Sequence, residues 1–250
     1  MEPILMPWML ANRKRCGSPE TALIPTKRFT KLEASRLVPQ FRLTFYDARG
    51  MAEMSRMILV YAGVPFEDIR ISKEESWDKI KKESPYTLPL LEFNGKKLSG
   101  GDAIARMLAK MYGLAGQDVF EQAQADAMLG VMRDFMGAAL DYVKFKYNLI
   151  FGKTAEDCDL DKLYYVQFVP AVKRYFGILE QYASQPTPDG FFLHSGVSYV
   201  DFAAANMFES LNALHSDLLA PYTNIKAIVQ RVFALPQLRR YLARRPKTLW

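Results

Sequence analysis

The apolar residues of this 250-residue chain change their spacing once, near residue 114, and this change limits the folds that the chain can adopt. Before that point, short stretches with the alternation of strands are interleaved with stretches of helical spacing. After it, only helical spacing remains. Half of the residues are hydrophobic, which is enough for a large core in one large or two small domains. We therefore expect an α/β unit with a mixed sheet, followed by an all-helical (all-α) unit.

The first unit has the predicted order strand, helix, strand, loop, two strands and helix. These elements are expected at Phe41–Asp47, Met51–Gly63, Phe66–Ser72, Thr87–Gly100 (both strands of a hairpin) and Asp102–Gly113. Gly63 can supply the left-handed residue that commonly ends a helix. Asn94 and Gly95, which stand between two apolar runs, are typical of a hairpin turn. Together these elements cover roughly 75 residues, the size of a compact mixed-sheet unit.

The second unit consists of predicted helices only. They are expected at Gln122–Gly152, Leu160–Ala183 with a bend at Pro170, Ser198–His215, Ile225–Ala234 and Pro236–Arg244. Ser198 and Asp201 have the spacing of a capping box, in which a hydroxyl and an acid three residues later satisfy free amide groups. The composition of Leu114–Glu121 is that of a linker. We accordingly expect one domain at residues 41–114 and a helical domain at residues 121–250.

The first 40 residues form a basic extension, for which disorder is the expected state. They carry seven Lys or Arg against three Asp or Glu, so they supply +4 of the net charge of +6. The nearly neutral remainder disfavours nucleic acid as the main ligand. An organelle-targeting signal is the alternative interpretation of the extension, whose apolar run Ile4–Ala11 is too short to span a membrane. The sequence thus predicts no nucleic-acid partner and no membrane span.

The cysteine and histidine content indicates a reducing compartment and no metal site. The chain has two cysteines, Cys16 and Cys158, and two histidines, His194 and His215. Two cysteines in otherwise unrelated regions do not make a disulfide framework, and two histidines provide little material for a zinc site. We predict a cytoplasmic protein without a metal cofactor.

Several motifs together resemble the cytosolic glutathione transferases, and most of all their sigma class, which includes helminth enzymes and the haematopoietic prostaglandin D synthase. The motifs are TLPLLE (residues 87–92), DAIARMLA (102–109), LAGQDVFEQAQADAM (114–128), FFLHSGVSYVDF (191–202) and ALPQLRRYLARRP (234–246). The resemblance extends from Phe41 to Thr248. It implies a thioredoxin-like N-terminal domain, a cis proline in the first motif, glutathione as co-substrate, a small hydrophobic electrophile as second substrate, and a homodimer.

The resemblance also places the catalytic hydroxyl at a position where this chain has none. In the family, a tyrosine that follows Leu-Thr on the first strand donates a hydrogen bond to the thiolate of glutathione. Here Phe45 has that position and Tyr46 follows it. Because side chains on a strand alternate between two faces, Tyr46 is expected to point away from the sulfur unless the strand end bulges. Tyr46 is therefore either the catalytic residue or a displaced ring.

Further departures from the family concern the γ-glutamyl end of glutathione. The family's Gln-Ser pair at the start of the third helix is Gly100-Gly101 here, and an arginine shortly after the Arg-Gly pair is Met51. Asp102 at this helix start is a good cap, and our hypothesis is that its carboxylate occupies or repels the place of the ligand's carboxylate. Arg49 is retained, either as part of the site or as a structural charge.

Other family contacts are retained. By resemblance, Trp77 and Lys81 hold the glycyl end of glutathione, and the backbone at Leu88-Pro89 pairs with its cysteinyl part. Trp77 and Lys81 lie one helical turn apart. A packed core ring and a solvated charge are the alternatives for these two side chains. Their joint spacing favours a retained half of the glutathione site.

The fourth helix of the family is expected to border both substrates. Asp126 and Asp134 on this helix are placed to reach the amino group of glutathione across a dimer, and surface salt bridges are the alternative. An apolar face for the electrophile is formed by Met128, Met132, Met136 and Tyr142. Simple core packing is the alternative for this methionine stripe.

Two functions of different classes remain open. The first is a transferase that binds glutathione and conjugates its thiolate to hydrophobic electrophiles, or isomerises prostaglandin-type endoperoxides, with weak activity because Phe45, Gly100 and Gly101 replace the usual side chains. The second is a catalytically silent protein of the same fold that binds ligands or has a structural role, as lens crystallins do. Trp77, Lys81 and Pro89 favour the first function, whereas Phe45, Met51, Gly100 and Gly101 favour the second.

Overall fold

Strand β1 (Phe41–Tyr46) is paired on both sides within a four-stranded mixed sheet. It pairs in parallel with β2 (Phe66–Ile71) and antiparallel with β3 (Leu90–Phe93), which pairs antiparallel with β4 (Lys96–Ser99). The order of strands across the sheet is therefore β2, β1, β3, β4. This is the mixed sheet that the sequence predicts for the first unit.

The computed structural model describes residues 40–72, 86–147 and 159–248. Nearly all of the basic extension, together with Trp77, Lys81 and Cys158, lies outside these ranges. The described residues all belong to one compact unit, Val38–Trp250. The domain boundaries at residues 114 and 121 stay a prediction.

The two faces of β1 have different surroundings. Phe41, Leu43 and Phe45 are buried in the core, whereas the residues between them are half-buried or exposed. The Phe41 ring stacks on Phe93 of β3, with ring centroids 4.4 Å apart. Because the apolar side chains alternate without interruption, the strand has one face that must point into the core.

One helix follows β1 and another follows β4. A short 3₁₀ turn at Gly50–Ala52 leads directly into α1 (Glu53–Tyr61), and α2 (Gly101–Met111) packs against α1. Gly63 follows α1 with a φ of 68°, so the predicted left-handed residue at this helix end is confirmed.

The hairpin between β3 and β4 is confirmed at Asn94 and Gly95. Both residues have positive φ angles, 49° and 73°, as the tight hairpin turn requires. The strand before this turn begins at Leu90 and not at Thr87 as predicted.

The remainder of the described chain is helical. The helices are α3 (Val119–Ala138), α4 (Leu140–Lys146), α5 (residues 160–183), α6 (Tyr199–Leu214), α7 (Thr223–Ala234) and α8 (Arg239–Arg244). Near the predicted bend at Pro170, α5 contains two π-helical stretches, Tyr164–Phe168 and Val172–Phe176. Within the ranges described, no helix combines the length and apolar character needed to cross a membrane.

The predicted linker, Leu114–Glu121, extends too far, because α3 begins within it at Val119. The Asp118 carboxylate accepts a hydrogen bond from the Glu121 amide at 2.8 Å and caps the helix. The Glu121 carboxylate accepts one from the Gln117 amide at 2.7 Å. These reciprocal bonds start the helix at Val119, three residues before the predicted Gln122.

Helix α6 lies at the centre of the structure, in contact with α1, α2, α3 and α7. The predicted capping box at its start is confirmed. The fully buried Asp201 carboxylate accepts hydrogen bonds from the amide and the hydroxyl of Ser198, both at 2.8 Å, and from the Phe192 amide at 3.0 Å. One carboxylate therefore satisfies two buried amides and fixes the segment before α6.

We expect Asp201→Ala to destabilise the protein more than Asp118→Ala, although both remove a helix cap. Loss of the exposed Asp118 cap should cost about 1 kcal/mol. Loss of Asp201 leaves two buried amides without an acceptor, for a total of roughly 3 kcal/mol. Urea unfolding of the two variants measures the difference, and equal losses would contradict this role of Asp201.

Candidate functional site

Three segments meet at one end of β1: the strand end itself, the Leu88-Pro89 peptide and the N-terminus of α2. The Leu88-Pro89 bond is cis, as the resemblance implies. The Gly100 amide donates a hydrogen bond to the Pro89 carbonyl at 3.1 Å, and Thr44 is paired with Leu90 across β1 and β3. The structure thus brings together the predicted residues of these segments.

The end of β1 is regular, so no bulge redirects Tyr46. Phe45 pairs with Arg70 and Tyr46 with Ile71, one residue against one. The Phe45 ring is 8% exposed, whereas Tyr46 is 44% exposed and on the other face of the strand. The two rings meet edge to face, with centroids 5.4 Å apart. The phenol therefore does not take the place of the Phe45 ring.

The start of α2 is shaped by a close backbone approach. Gly100 caps the helix with a φ of 97°, a conformation that favours glycine. A Cβ atom at Gly101 would lie only 2.7 Å from the Met51 carbonyl oxygen. The serine that the family has at this position would therefore require the Gly50–Ala52 turn to move. The main chain of this turn therefore fills the space that a side chain at residue 101 would need.

The prediction that Asp102 caps α2 is wrong. The N-cap is Gly100, without a side-chain cap bond. The Asp102 carboxylate instead accepts both the Nε and the Nη2 donors of Arg133 on α3, with Nε at 2.9 Å from Oδ2. A bidentate pair with arginine is stronger than a single cap bond, which explains the choice of partner. Asp102 and Arg133 are about one-third exposed.

The two aspartates of α3 differ in their surroundings. Asp126 accepts hydrogen bonds from Arg106 Nε at 2.7 Å and from the Tyr199 hydroxyl. Burial opposes ionisation of Asp126, but the bonds from Tyr199 and Arg106 prevail and lower the pKa of its carboxyl. Asp134 is exposed on α3. Asp126 is therefore engaged within its own chain, and Asp134 stays the predicted contact for the amino group.

The predicted apolar face on α3 and α4 is mostly core. Met128, Met132 and Tyr142 are at most 4% exposed, and only Met136 is half-buried. The Tyr142 hydroxyl lies 2.8 Å from His215 Nε2. Burial raises the pKa of Tyr142 to about 12. Burial and the nearby Lys146 charge lower the pKa of His215. Of the four predicted residues, Met136 alone has a partly exposed side chain.

The buried ion pairs of Arg49, Glu53 and Arg56 were not predicted from the sequence. Arg49 is 4% exposed and donates to Glu209 of α6 at 2.7 Å, so it is a structural charge. Glu53 and Arg56 on α1 are fully buried and form an ion pair of 3.3 Å. The spacing of Glu53 and Arg56 was visible in the sequence, but Glu209 lies 160 residues from Arg49. No local signal could connect them.

The remaining predicted contacts are described in part. Leu88 is half-buried and Pro89 is buried. Trp77 and Lys81 lie outside the described residues. Within the described ranges, no group of three or more His, Cys, Asp or Glu side chains could hold a metal ion.

Comparisons with known proteins agree with this architecture. Residues 41–110 match the family of glutathione S-transferase N-terminal domains, and residues 153–245 match a family of glutathione S-transferase C-terminal domains. The chain is 32% identical to glutathione S-transferase 1 of Ascaris suum over 212 residues, which are 84% of this chain and 99% of the relative. It is 31% identical to the hematopoietic prostaglandin D synthase of Gallus gallus, over 84% of this chain and 99% of the relative.

Solved structures give the same result. A monomeric glutathione S-transferase of the hookworm Necator americanus is 32% identical, with a TM-score of 0.76 over 84% of this chain and all of that one. Sequence and structure thus agree over nearly the full length of the relatives. The thioredoxin-like N-terminal domain and the helical C-terminal domain are those of this family, and the chain belongs to the glutathione S-transferases.

Proposed function

We propose that this protein binds glutathione where β1, the Leu88-Pro89 peptide and α2 meet, and conjugates its sulfur to small hydrophobic electrophiles. The observation that carries the proposal is the agreement with glutathione S-transferases of nematodes over 99% or more of their length. The position of the Leu88-Pro89 peptide supports it, because the peptide lies next to the start of α2, where the Gly100 amide donates a hydrogen bond to the Pro89 carbonyl at 3.1 Å. A glutathione-binding measurement followed by a conjugation assay tests it.

The three parts of glutathione meet different surroundings. The glycyl carboxylate is assigned to Trp77 and Lys81, and the cysteinyl backbone to Leu88. The γ-glutamyl end lies at the start of α2, where the first amide groups of the helix have no carbonyl partner within it. Asp134 of a second copy is the partner for the γ-glutamyl amino group. We accordingly infer a homodimer, although the Necator americanus relative is described as monomeric.

The conjugation step needs the thiolate form of glutathione. The thiol loses its proton to solvent, the sulfur forms a bond to the electrophilic carbon, and the leaving group departs with the bonding electron pair. A free thiol has a pKa near 8.5, so only a few per cent is ionised at neutral pH. Because Phe45 offers no hydroxyl, we expect a weak enzyme whose rate rises with pH toward about 8.5.

Isomerisation of a prostaglandin-type endoperoxide is the second candidate. The 31% identity to the prostaglandin D synthase of Gallus gallus favours this candidate. This reaction also begins with the glutathione sulfur, so it needs the same hydroxyl donor to the thiolate, which Phe45 lacks. A catalytically silent ligand-binding or structural protein is the less favoured alternative. A cytoplasmic location is in line with the use of a reduced thiol as co-substrate.

Restoring a hydroxyl at residue 45 should raise activity. Phe45 lies on the core-facing side at the strand end, so a tyrosine there can direct its phenol to the sulfur. We expect Phe45→Tyr to raise kcat/KM at pH 7 by about tenfold, and to lower the inflection of the pH profile by about one unit. The assay is conjugation of glutathione to a reactive aryl halide between pH 6 and 9.

Tyr46→Phe is the matched control for this gain. Because the Tyr46 ring is on the other face of β1, the change should leave kcat/KM within about twofold. Loss of turnover in Tyr46→Phe would identify Tyr46 as the catalytic donor and contradict this interpretation.

Two aspartates at the γ-glutamyl end should act in opposite directions. Asp102→Asn removes a negative charge near the ligand's carboxylate and frees Arg133, so glutathione should bind about tenfold more tightly. Asp134→Asn removes the partner of the amino group and should weaken binding by a similar factor. Calorimetric titration with glutathione measures both, and shifts of the same sign would contradict the assignment.

Lys81 should contribute more to glutathione binding than its neighbour Lys82. Loss of a charged hydrogen bond to the glycyl carboxylate should weaken binding by roughly tenfold or more in Lys81→Gln. Lys82→Gln removes the same charge one position away and is the control. Equal affinities of the two variants would remove Lys81 from the site.

A further inference from the structure

The turn between β1 and α1, residues 47–52, connects the strand end that carries Phe45 and Tyr46 to the first helix. It also provides the Met51 carbonyl that approaches Gly101. This β1–α1 turn therefore borders two of the three segments of the candidate site. Its position depends on contacts with residues far away in the sequence.

The first set of contacts comes from α6. The Asn206 side-chain amide donates to the Gly50 carbonyl at 2.9 Å. Glu209, three residues later on the same helix, accepts from Arg49 Nη1 at 2.7 Å. These two side chains hold successive residues of the β1–α1 turn against α6.

The second set comes from the C-terminal segment, residues 239–248. The Arg49 amide donates to the Thr248 hydroxyl at 3.3 Å, and Arg49 Nε donates to the Thr248 carbonyl at 3.3 Å. Arg245 donates through Nη1 to Glu53 at 2.7 Å and through Nη2 to both carboxylate oxygens of Glu209, at 2.5 and 2.7 Å. Tyr241 donates its hydroxyl to Glu53 at 2.9 Å.

Arg245 thus connects the two acidic side chains that anchor the turn. Glu53 begins α1 and is fully buried, and Glu209 holds Arg49. Arg56 completes the arrangement, since its Nη1 donates to the Ala48 carbonyl of the turn at 2.8 Å. Asp68 pairs with Arg56 and with Arg70, and Arg70 also pairs with Asp47 of the turn, so four arginines are balanced by four carboxylates.

This charge balance gives the turn one preferred arrangement. Buried charges are tolerated only when they are paired and hydrogen-bonded, and removal of one partner leaves an uncompensated charge. The Arg245 side chain is only 10% exposed, so solvent does not replace its two partners. A shift of the β1–α1 turn would break several of these pairs at once.

We propose that Arg245 is a positioning residue: through Glu53 and Glu209, the C-terminal segment holds the β1–α1 turn in the place that the transferase reaction requires. The proposal rests on the proposed function for its catalytic part. Arg245 does not touch the substrates in this assignment. It acts through the turn, whose displacement by about 1 Å would be enough to reduce the rate up to about 100-fold.

The test compares Arg245→Gln and Arg245→Lys with two controls. Arg244→Gln removes the same charge from an exposed neighbour. Leu179→Ala creates a cavity in the stretch Gly177–Ala183, which packs against α3 and α7. It lowers stability without changing the contacts that hold the β1–α1 turn. Thr248→Val removes the hydroxyl that accepts from the Arg49 amide and tests the other contact between the C-terminal segment and the turn. Arg245→Lys serves for Arg245 if Arg245→Gln fails to fold.

Two measurements are made on the full chain: amide hydrogen exchange of residues 47–53, and kcat and KM for glutathione and an aryl halide. In Arg245→Gln we expect exchange in the turn to rise at least about tenfold and kcat/KM to fall by about 10- to 100-fold. In Arg245→Lys, the changes in amide exchange and in kcat/KM should both be smaller. Arg244→Gln should match the unchanged protein, and Leu179→Ala should lower the melting temperature while exchange in the turn and kcat are preserved.

The outcomes separate the two proposals. Unchanged exchange in the turn of Arg245→Gln and Thr248→Val overturns the positioning role. Faster exchange with unchanged kcat/KM overturns its catalytic part, as does an equal loss of kcat in Leu179→Ala at matched stability. If the unsubstituted protein neither binds glutathione nor conjugates it, the proposed function is overturned. The exchange results then still decide whether Arg245 holds the turn.

Discussion

The pairing of β1 on both sides is the constraint on which the site depends. Parallel pairing with β2 and antiparallel pairing with β3 leave the strand no freedom to slip, because a shift by one residue would expose Phe41, Leu43 and Phe45. The faces of its side chains are therefore fixed by the sheet. A local adjustment of the strand therefore cannot supply the hydroxyl that residue 45 lacks.

The elements that the sequence predicted well are those whose determinants are local. Gly63, the Asn94-Gly95 turn and the capping box of Ser198 and Asp201 act within a few residues, and each is found where its pattern placed it. Asp102 was misjudged because its partner, Arg133, is 31 residues away. A cap and a distant arginine compete for the same carboxylate, and only the tertiary structure decides between them.

The candidate site was predictable as a set of positions but not as a set of contacts. The family pattern located Gly100 and Gly101, yet only the fold shows that the Met51 backbone fills the space of a side chain at Gly101. Burial of Arg49 was equally hidden, because its partners Glu209 and Thr248 come from the other end of the chain. Such close approaches depend on how α1, α2 and α6 pack, which no short pattern encodes.

The proposed site separates the binding of glutathione from its activation. The contacts assigned to the Leu88 backbone and to the first amides of α2 belong to the main chain, so they survive the change from Gln-Ser to Gly100-Gly101. Activation of the sulfur depends on a side-chain hydroxyl, and Phe45 has none. A chain can therefore keep the scaffold and much of the affinity of a transferase while its rate falls. In this protein the scaffold is held by buried charges and a central capped helix, neither of which needs the missing hydroxyl.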